Sequence, residues 1–305
     1  MQADAHTIAV EQMRLGDHAF AHYADDNVRW QVPAVFTQRG LGHGEKVIIM
    51  GDPAVSADEA YQRLTAFAGP AEQARARGQL VFSSMRALIH PDRTFTARRQ
   101  MSRLREETAL ARWEGYTGLR AFIDMAWVRD MGVNTGAVMR REKTAGGLFA
   151  ARRYAEICSY DRRSFPPAVV EEMRASHPVA LLERPGELEA WHSAGEVHLI
   201  GDGDLLTRPQ FRDAVRTALA AGAGGWVLVD LSRLCFMSAG CAGDLLRLIA
   251  QADGYDRVVV RCSALNASTL RHLGATRIGR LVLDEPAPDE PAPDEPAPDE
   301  LAEDR

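Results

Sequence analysis

The 305-residue chain is 46% hydrophobic and 26% charged, a globular composition long enough for one large or two modest domains with real cores. Its net charge of −6 is concentrated at one end: Asp284 to Arg305 hold ten acidic residues and one arginine, a charge of −9, which leaves +3 on the rest. That nearly neutral body has no dense basic cluster, so no nucleic-acid partner is expected, and no apolar run reaches bilayer-crossing length, so no membrane partner is expected.

The start, MQADAHTIAVEQMRLGD, offers neither a basic leader nor an apolar stretch of secretory type, which predicts a cytoplasmic location. Residues 25–40 read as a helix. Asp25 or Asp26 can cap it, Val28, Val32, Val35 and Phe36 share a face, Gly40 can end it, and Pro33 should bend or shorten it. GEKVIIMGD follows as a strand running into a loop. Ser56-Ala-Asp-Glu59 is a capping box opening a helix to about Phe67.

LVFSS (80–84) is the next strand, Thr96 to Glu114 a long amphipathic helix, and GLRAFIDMAW (118–127) again a strand. A helix around 131–143, the strand AEICSYD (155–161) and a helix begun by Pro167 complete the alternation. Strand and helix in turn predict an α/β fold, a parallel sheet with helices on both faces. The boundary falls at Glu183-Arg-Pro-Gly186, giving domains at 1–183 and 187–283.

Beyond it, EVHLIGDGD is a strand, and Thr207-Arg-Pro-Gln210 a second capping box opening a helix to Gly222. GWVLVDLS (225–232) is a buried strand. LSRLCFMSAGCAGDLL (231–246) turns from strand into helix, and RVVVRCS, a helix at 266–273 and IGRLVL follow. The last segment, 284–305, contains PAPDE three times; proline and like charge exclude helix and sheet, so an extended arm is expected, either solubilising or docking on a basic partner. Cys158, Cys235, Cys241 and Cys262 form no CxxC pair and sit in apolar runs, which predicts buried, reduced thiols and no disulfide or zinc site.

On EVHLIGDGDLLTRPQFRDAVRTAL and VLVDLSRLCFMSAGCAGDLLRL, residues 187–283 resemble the STAS domain of anti-sigma factor antagonists. The resemblance implies a protein–protein module whose partner is an anti-sigma factor, usually also a serine kinase. It marks Asp204, Thr207, Ser232, Ser238, Ala239 and Gly240 as interface residues. The family turn places its phosphorylated serine two positions after an aspartate; ungapped, Ser238 stands at the aspartate and Gly240 at the acceptor. Glycine has no hydroxyl, so the usual phospho-switch is expected to be missing. Ser238 is either the helix N-cap or, if the turn slides, an acceptor in its own right. Ser232 and Thr207 have plainer readings as a strand end and a cap.

On GDHAFAHYADD, GLGHGEKVIIMGD, WEGYTGLRAFIDMAWV, YAEICSYDRRSFP and His177-Pro178, the first domain resembles the MEDS domain. The resemblance implies a RecA-like three-layer fold and a small-molecule or hydrocarbon sensor. Gly51-Asp-Pro-Ala-Val-Ser-Ala-Asp lacks the second glycine and the lysine of a P-loop; Asp52 would repel phosphate and Pro53 removes a donor. His18, Tyr23, Asp52, Arg120, Asp124 and Trp127 are candidate ligand residues at strand ends or loops. Asp124 needs a partner, Arg120 or His18, and its plainer reading is a satisfied internal pair that fixes the strand; Trp127 has a plain core reading. His18 and His22 are spaced to share a metal on a helix, but no third ligand accompanies them, so neither metal nor cofactor is assigned. With no nucleophile constellation either, a sensory regulator is expected rather than an enzyme, the alternative being a nucleotide-binding or enzymatic RecA-like domain with an accessory STAS module.

Overall fold

The computed structural model describes residues 6–66, 71–90, 94–193, 195–221, 225–252, 254 and 256–285. The PAPDE repeats and the expected helix ends at Phe67 and Gly222 lie outside the described residues.

The first domain runs β1 (Thr7–Ile8), β2 (His18–Tyr23), α1 (Asp26–Arg29), α2 (Gln31–Gly42), β3 (Lys46–Met50), α3 (Ala57–Thr65), α4 (Ala71–Ala76) and β4 (Leu80–Ser83). It continues with α5 (Met85–Leu88), α6 (Ala97–Trp113), β5 (Leu119–Asp124), α7 (Trp127–Asp130), α8 (Thr135–Thr144), α9 (Gly146–Phe149), β6 (Tyr154–Asp161), α10 (Pro167–Ser176) and β7 (Val179–Leu181). The seven strands pair in parallel in the order β1-β7-β2-β6-β5-β3-β4. Val47, Ile49, Phe122 and Ile157 join one apolar core, while Ile48, Met50, Ala121, Ile123 and Cys158 join another. Alternate residues leave opposite faces of a strand, so the two cores lie on opposite sides of the sheet.

Local chemistry explains most boundaries. Asp25 accepts from the N–H groups of Asn27 and Val28 and opens α1. The expected helix over 25–40 is split at Trp30, and Pro33 falls in the first turn of α2, where its missing N–H costs nothing. Ser56 caps α3 through Glu59 N, and Thr96 caps α6 through Arg99 N. The strand HAFAHY was not expected; buried on both faces, it shows no polar–apolar alternation. GEKVIIMGD is therefore not the first strand of the sheet. GLRAFIDMAW is not all strand either: the Asp124 carboxylate accepts from Ala126 N at 3.0 Å, turning the chain, and Trp127 begins α7.

The second domain runs β8 (Leu188–Ser193), β9 (Glu196–Gly203), α11 (Arg208–Ala221), β10 (Trp226–Met237), α12 (Ala239–Gln251), β11 (Arg257–Arg261), α13 (Ala264–His272) and β12 (Leu281–Asp284), in the sheet order β12-β11-β10-β9-β8. The β8–β9 pair is antiparallel and the others are parallel. The edge strand β8 was also unexpected. Gly201 makes that edge: its φ is +98°, and a Cβ there would stand 1.9 Å from the Glu187 carbonyl oxygen. β10 runs past Ser232 to Met237 through irregularities between Asp230 and Arg233 and between Leu234 and Phe236.

The domains touch through the first strand and its sequel. Ala9, Leu182 and Ile200 form a small buried cluster, and Arg233 Nη1 donates to the Thr7 carbonyl at 2.8 Å. No helix of the described residues is long and apolar enough to cross a membrane.

Candidate functional sites

Strand polarity divides the candidate residues of the first domain. Tyr23 and Asp124 end β2 and β5, Asp52 follows β3, and Trp127 follows β5. His18 and Arg120 instead stand first and second in their strands, at the amino ends. Arg120, fully buried, pairs with Glu45 and donates to the Met13 carbonyl at 2.9 Å. It is a core ion pair, close to Gly40, where a Cβ would meet its side chain at 2.8 Å.

The expected partners of Asp124, Arg120 and His18, are therefore not its partners. Arg29 Nη2 lies 2.9 Å from Asp124 Oδ2 and 3.1 Å from Asp52 Oδ2, and the Tyr23 hydroxyl donates to Asp124 Oδ2 at 3.0 Å. Three strand ends are thus tied by one guanidinium supplied by α1. Burial raises the Asp124 pKa against the opposing pull of Arg29.

Beside this network a cleft of about 490 Å³ opens at the carboxyl ends of β3, β4 and β5, where parallel sheets present ligand sites. Asp52, Pro53, Phe82, Ser84, Arg86 and Trp127 are among its lining residues. Arg86 is held by Asp130 at 2.8 Å. Trp127 packs on Phe95 with ring centroids 4.8 Å apart, and among the described residues its buried Nε1 has no hydrogen-bond partner.

A second group lies within the sheet's other half. His18 on β2 faces Glu156 on β6 in the strand register, and Cys158 stands two residues beyond Glu156 on the same face. Arg141 and Glu142 of α8, and His177 just after α10, close over them. His18 and His22 share a strand, not a helix, so four residues separate them by roughly 13 Å, and one metal cannot join them. In place of His22 the fold gathers His18, Glu142, Cys158 and His177, whose ligand atoms all lie within 4.8 Å of one another. The apolar flanks of Cys158 concealed this, although a glutamate inside the apolar strand AEICSYD was a readable signal.

Electrostatically the group is tightly matched. Arg141, 1% exposed, contacts Glu142 at 2.9 Å and Glu156 at 2.6 Å, and the Tyr154 hydroxyl donates to Glu156. Burial opposes ionisation of both carboxylates, but Arg141 and His18 together, joined by His177 at Glu142, outweigh it, holding Glu142 at about 2 and Glu156 well below its usual value. Burial likewise disfavours the His18 cation, but Glu142 and Glu156 hold its pKa above normal. Burial pushes His177 down to about 4 and the Cys158 thiol well up.

In the second domain Ser238 is the N-cap of α12, its Oγ accepting from Cys241 N at 3.3 Å, while its own N–H donates to Gly203 O at 2.7 Å. Thr207 Oγ1 accepts from Asp204 N and donates to Asp202 O, and Asp204 Oδ1 receives the N–H groups of Leu206 and Thr207. The expected capping box thus becomes a tight turn closed by Asp204. The two loops touch, and around them Leu205, Leu206 and Phe236 are 79%, 85% and 53% exposed. Ala239 is exposed, and Gly240 lies beneath Arg208, which Asp244 holds in two hydrogen bonds. Ser232 does not belong here: it is exposed inside β10 at the irregularity after Asp230, whose Oδ1 its N–H meets at 2.8 Å, six residues from Ser238. Cys235 is also exposed, unlike the buried Cys158, Cys241 and Cys262; it lies beyond the first irregularity of β10.

A parallel α/β domain with a ligand-sized cleft, joined to a small α/β domain with an exposed apolar turn, defines a two-module α/β protein. The chain belongs to the MEDS family, described as the methanogen/methylotroph, DcmR sensory domain, whose model matches residues 17–178. A second model, the Mlab STAS domain, matches residues 188–283. No curated protein matches the chain. Among solved structures it is similar to the flagellar accessory protein FlaH from Methanocaldococcus jannaschii, at 11% identity over 62% of this chain and 77% of that one, with a TM-score of 0.37.

Proposed function

We propose that this chain is a bacterial cytoplasmic signalling regulator without catalytic activity. Its first domain binds a small molecule in the cleft beside Asp52 and Trp127, and its STAS domain engages an anti-sigma factor through the turn at Ser238. The observation that carries the reading is the exposed triad of Leu205, Leu206 and Phe236 around a turn with glycine at the acceptor position. Apolar side chains in such numbers on a surface loop mark a contact surface. Control would then come from ligand occupancy, which shifts an equilibrium only through different affinity for its two states. Leu182, Ala9 and Ile200 offer the route, since Ile200 lies on the strand that leads into the Asp204 turn.

Nucleotide hydrolysis is the weaker alternative. The helix that follows β2 has its first N–H groups filled by the Asp25 carboxylate, where a bound phosphate would need them. The cleft's arginine, Arg86, is already paired with Asp130.

The test is titration of the full chain against each anti-sigma factor of its host, with and without ATP, followed by intact mass. Micromolar or tighter binding that Leu206→Asp and Phe236→Asp each weaken at least about ten-fold, with no added phosphate, is expected. Absence of binding, binding indifferent to both substitutions, or stoichiometric phosphate on the turn overturns the reading. Calorimetry with ATP and GTP, with and without magnesium, tests the alternative.

A further inference from the structure

We propose that His18, Glu142, Cys158 and His177 form a tetrahedral binding site for a divalent transition-metal ion of the zinc class. The donors are two imidazole nitrogens, one carboxylate oxygen and one sulfur, a set suited to zinc. Metal–ligand bonds of about 2.0–2.3 Å imply tetrahedral edges of roughly 3.3–3.8 Å. The separations approach that size: 3.0 Å from His18 Nε2 to Glu142 Oε2, 3.6 Å from His177 Nε2 to Glu142 Oε2, 3.8 Å from Cys158 Sγ to His18 Nε2, and 3.9 Å from Cys158 Sγ to the other Glu142 oxygen, Oε1, with one ligand atom from each of the four residues within 4.8 Å of the rest.

His177 supplies an independent observation. Its Nδ1 lies 2.7 Å from the Met173 carbonyl, a contact that requires the proton on Nδ1. That hydrogen bond leaves the Nε2 lone pair directed at the group, and Nε2 is buried with no hydrogen-bond partner among the described residues. A buried imidazole nitrogen without a partner is costly in a core; one oriented through its other nitrogen to a carbonyl is the usual posture of a metal ligand.

Charge also permits the ion. Bound as two neutral imidazoles, a carboxylate and a thiolate, the four ligands carry two negative charges that a divalent ion cancels, while Arg141 cancels Glu156. Arg141 gives up Glu142 and keeps Glu156, which it contacts at 2.6 and 2.7 Å. The site is sealed by Phe149, stacked on His18 with ring centroids 4.6 Å apart, so loading belongs to folding. The assignment stands whether or not the STAS domain binds an anti-sigma factor.

The experiment is refolding of the full chain from denaturant, under reductant, with Co²⁺ or Zn²⁺, followed by desalting, metal analysis and absorption spectroscopy. One ion per chain is expected, with intense tetrahedral Co²⁺ bands and a thiolate-to-cobalt charge-transfer band. The charge-transfer band should vanish in Cys158→Ser, and His177→Gln should lower affinity at least about ten-fold. A chain in which Cys235, Cys241 and Cys262 are all serine keeps the band if Cys158 is the ligand, and this variant decides the matter should Cys158→Ser fail to fold. Failure of the wild-type chain to retain either ion, a band that survives Cys158→Ser, or loss of the band from the triple variant overturns the proposal.

Discussion

Arg208 lies across Gly240: a Cβ at position 240 would come within 3.3 Å of its Nη1, while Asp244 holds the same guanidinium at 2.7 and 3.1 Å. The position that would bear an acceptor hydroxyl is thus both without one and roofed by a cation. Gly240→Ser is expected to fold, because the neighbour is the flexible end of an arginine and the position is helical. Offered to a serine kinase of the anti-sigma type, this variant should gain one phosphate and lose affinity for its partner, whereas the wild-type chain gains none. Intact mass and a binding titration read both outcomes.

Arg29 stitches Asp124 and Asp52 together, and removing it strands Asp124, which is 1% exposed. Breaking a buried pair in this way costs about 3 kcal/mol, so Arg29→Met should lower stability by roughly that amount in urea unfolding. The loss has a direction in pH. Asp124 already titrates above its unfolded value through burial, so its contribution is full below about pH 4 and shrinks as pH rises through the folded value. Without Arg29 that value rises further, and the deficit should be larger at pH 8 than at pH 5.

Burial, together with Arg162 and Arg174, pushes His22 down to about 4, and its buried Nδ1 has no hydrogen-bond partner among the described residues. Aromatic rings flank it: Phe20 on its own strand, and Tyr160 opposite in β6. The unfolded chain takes up this proton near pH 6.5 and the folded chain only near 4. The stabilising contribution is therefore complete above about 6.5 and is lost as pH falls to about 4, with a slope of up to about 1.4 kcal/mol per pH unit. His22→Gln should flatten the stability profile across that window, measured by thermal unfolding in a buffer series.

At Gly201 the added methyl of alanine would meet the Glu187 carbonyl at 1.9 Å in a backbone that side chains rarely adopt. Gly201→Ala should cost at least about 2 kcal/mol. Hydrogen exchange should show the loss first in β8, whose pairing with β9 places Leu188 against Gly201.

What the sequence determined by itself was whatever depends on neighbours along the chain. Caps at Asp25, Ser56 and Ser238, the apolar strands β3, β6 and β10, and the succession of strand and helix were legible because each is set within a few residues. The strand β2 was not, since burial on both faces erases alternation, nor was the edge strand β8, whose partner and Gly201 fix it. The sites were decided by the tertiary structure alone. Asp124 found Arg29, 95 residues away, rather than Arg120, because strand polarity sends Arg120 to the opposite end of the sheet. His18 met Glu142, Cys158 and His177 because β2 and β6 are neighbours that the chain reaches through two-thirds of a domain. Spacing in sequence cannot report such meetings, since a parallel sheet joins strands by long crossovers and its register, not the distance along the chain, sets which side chains share a face.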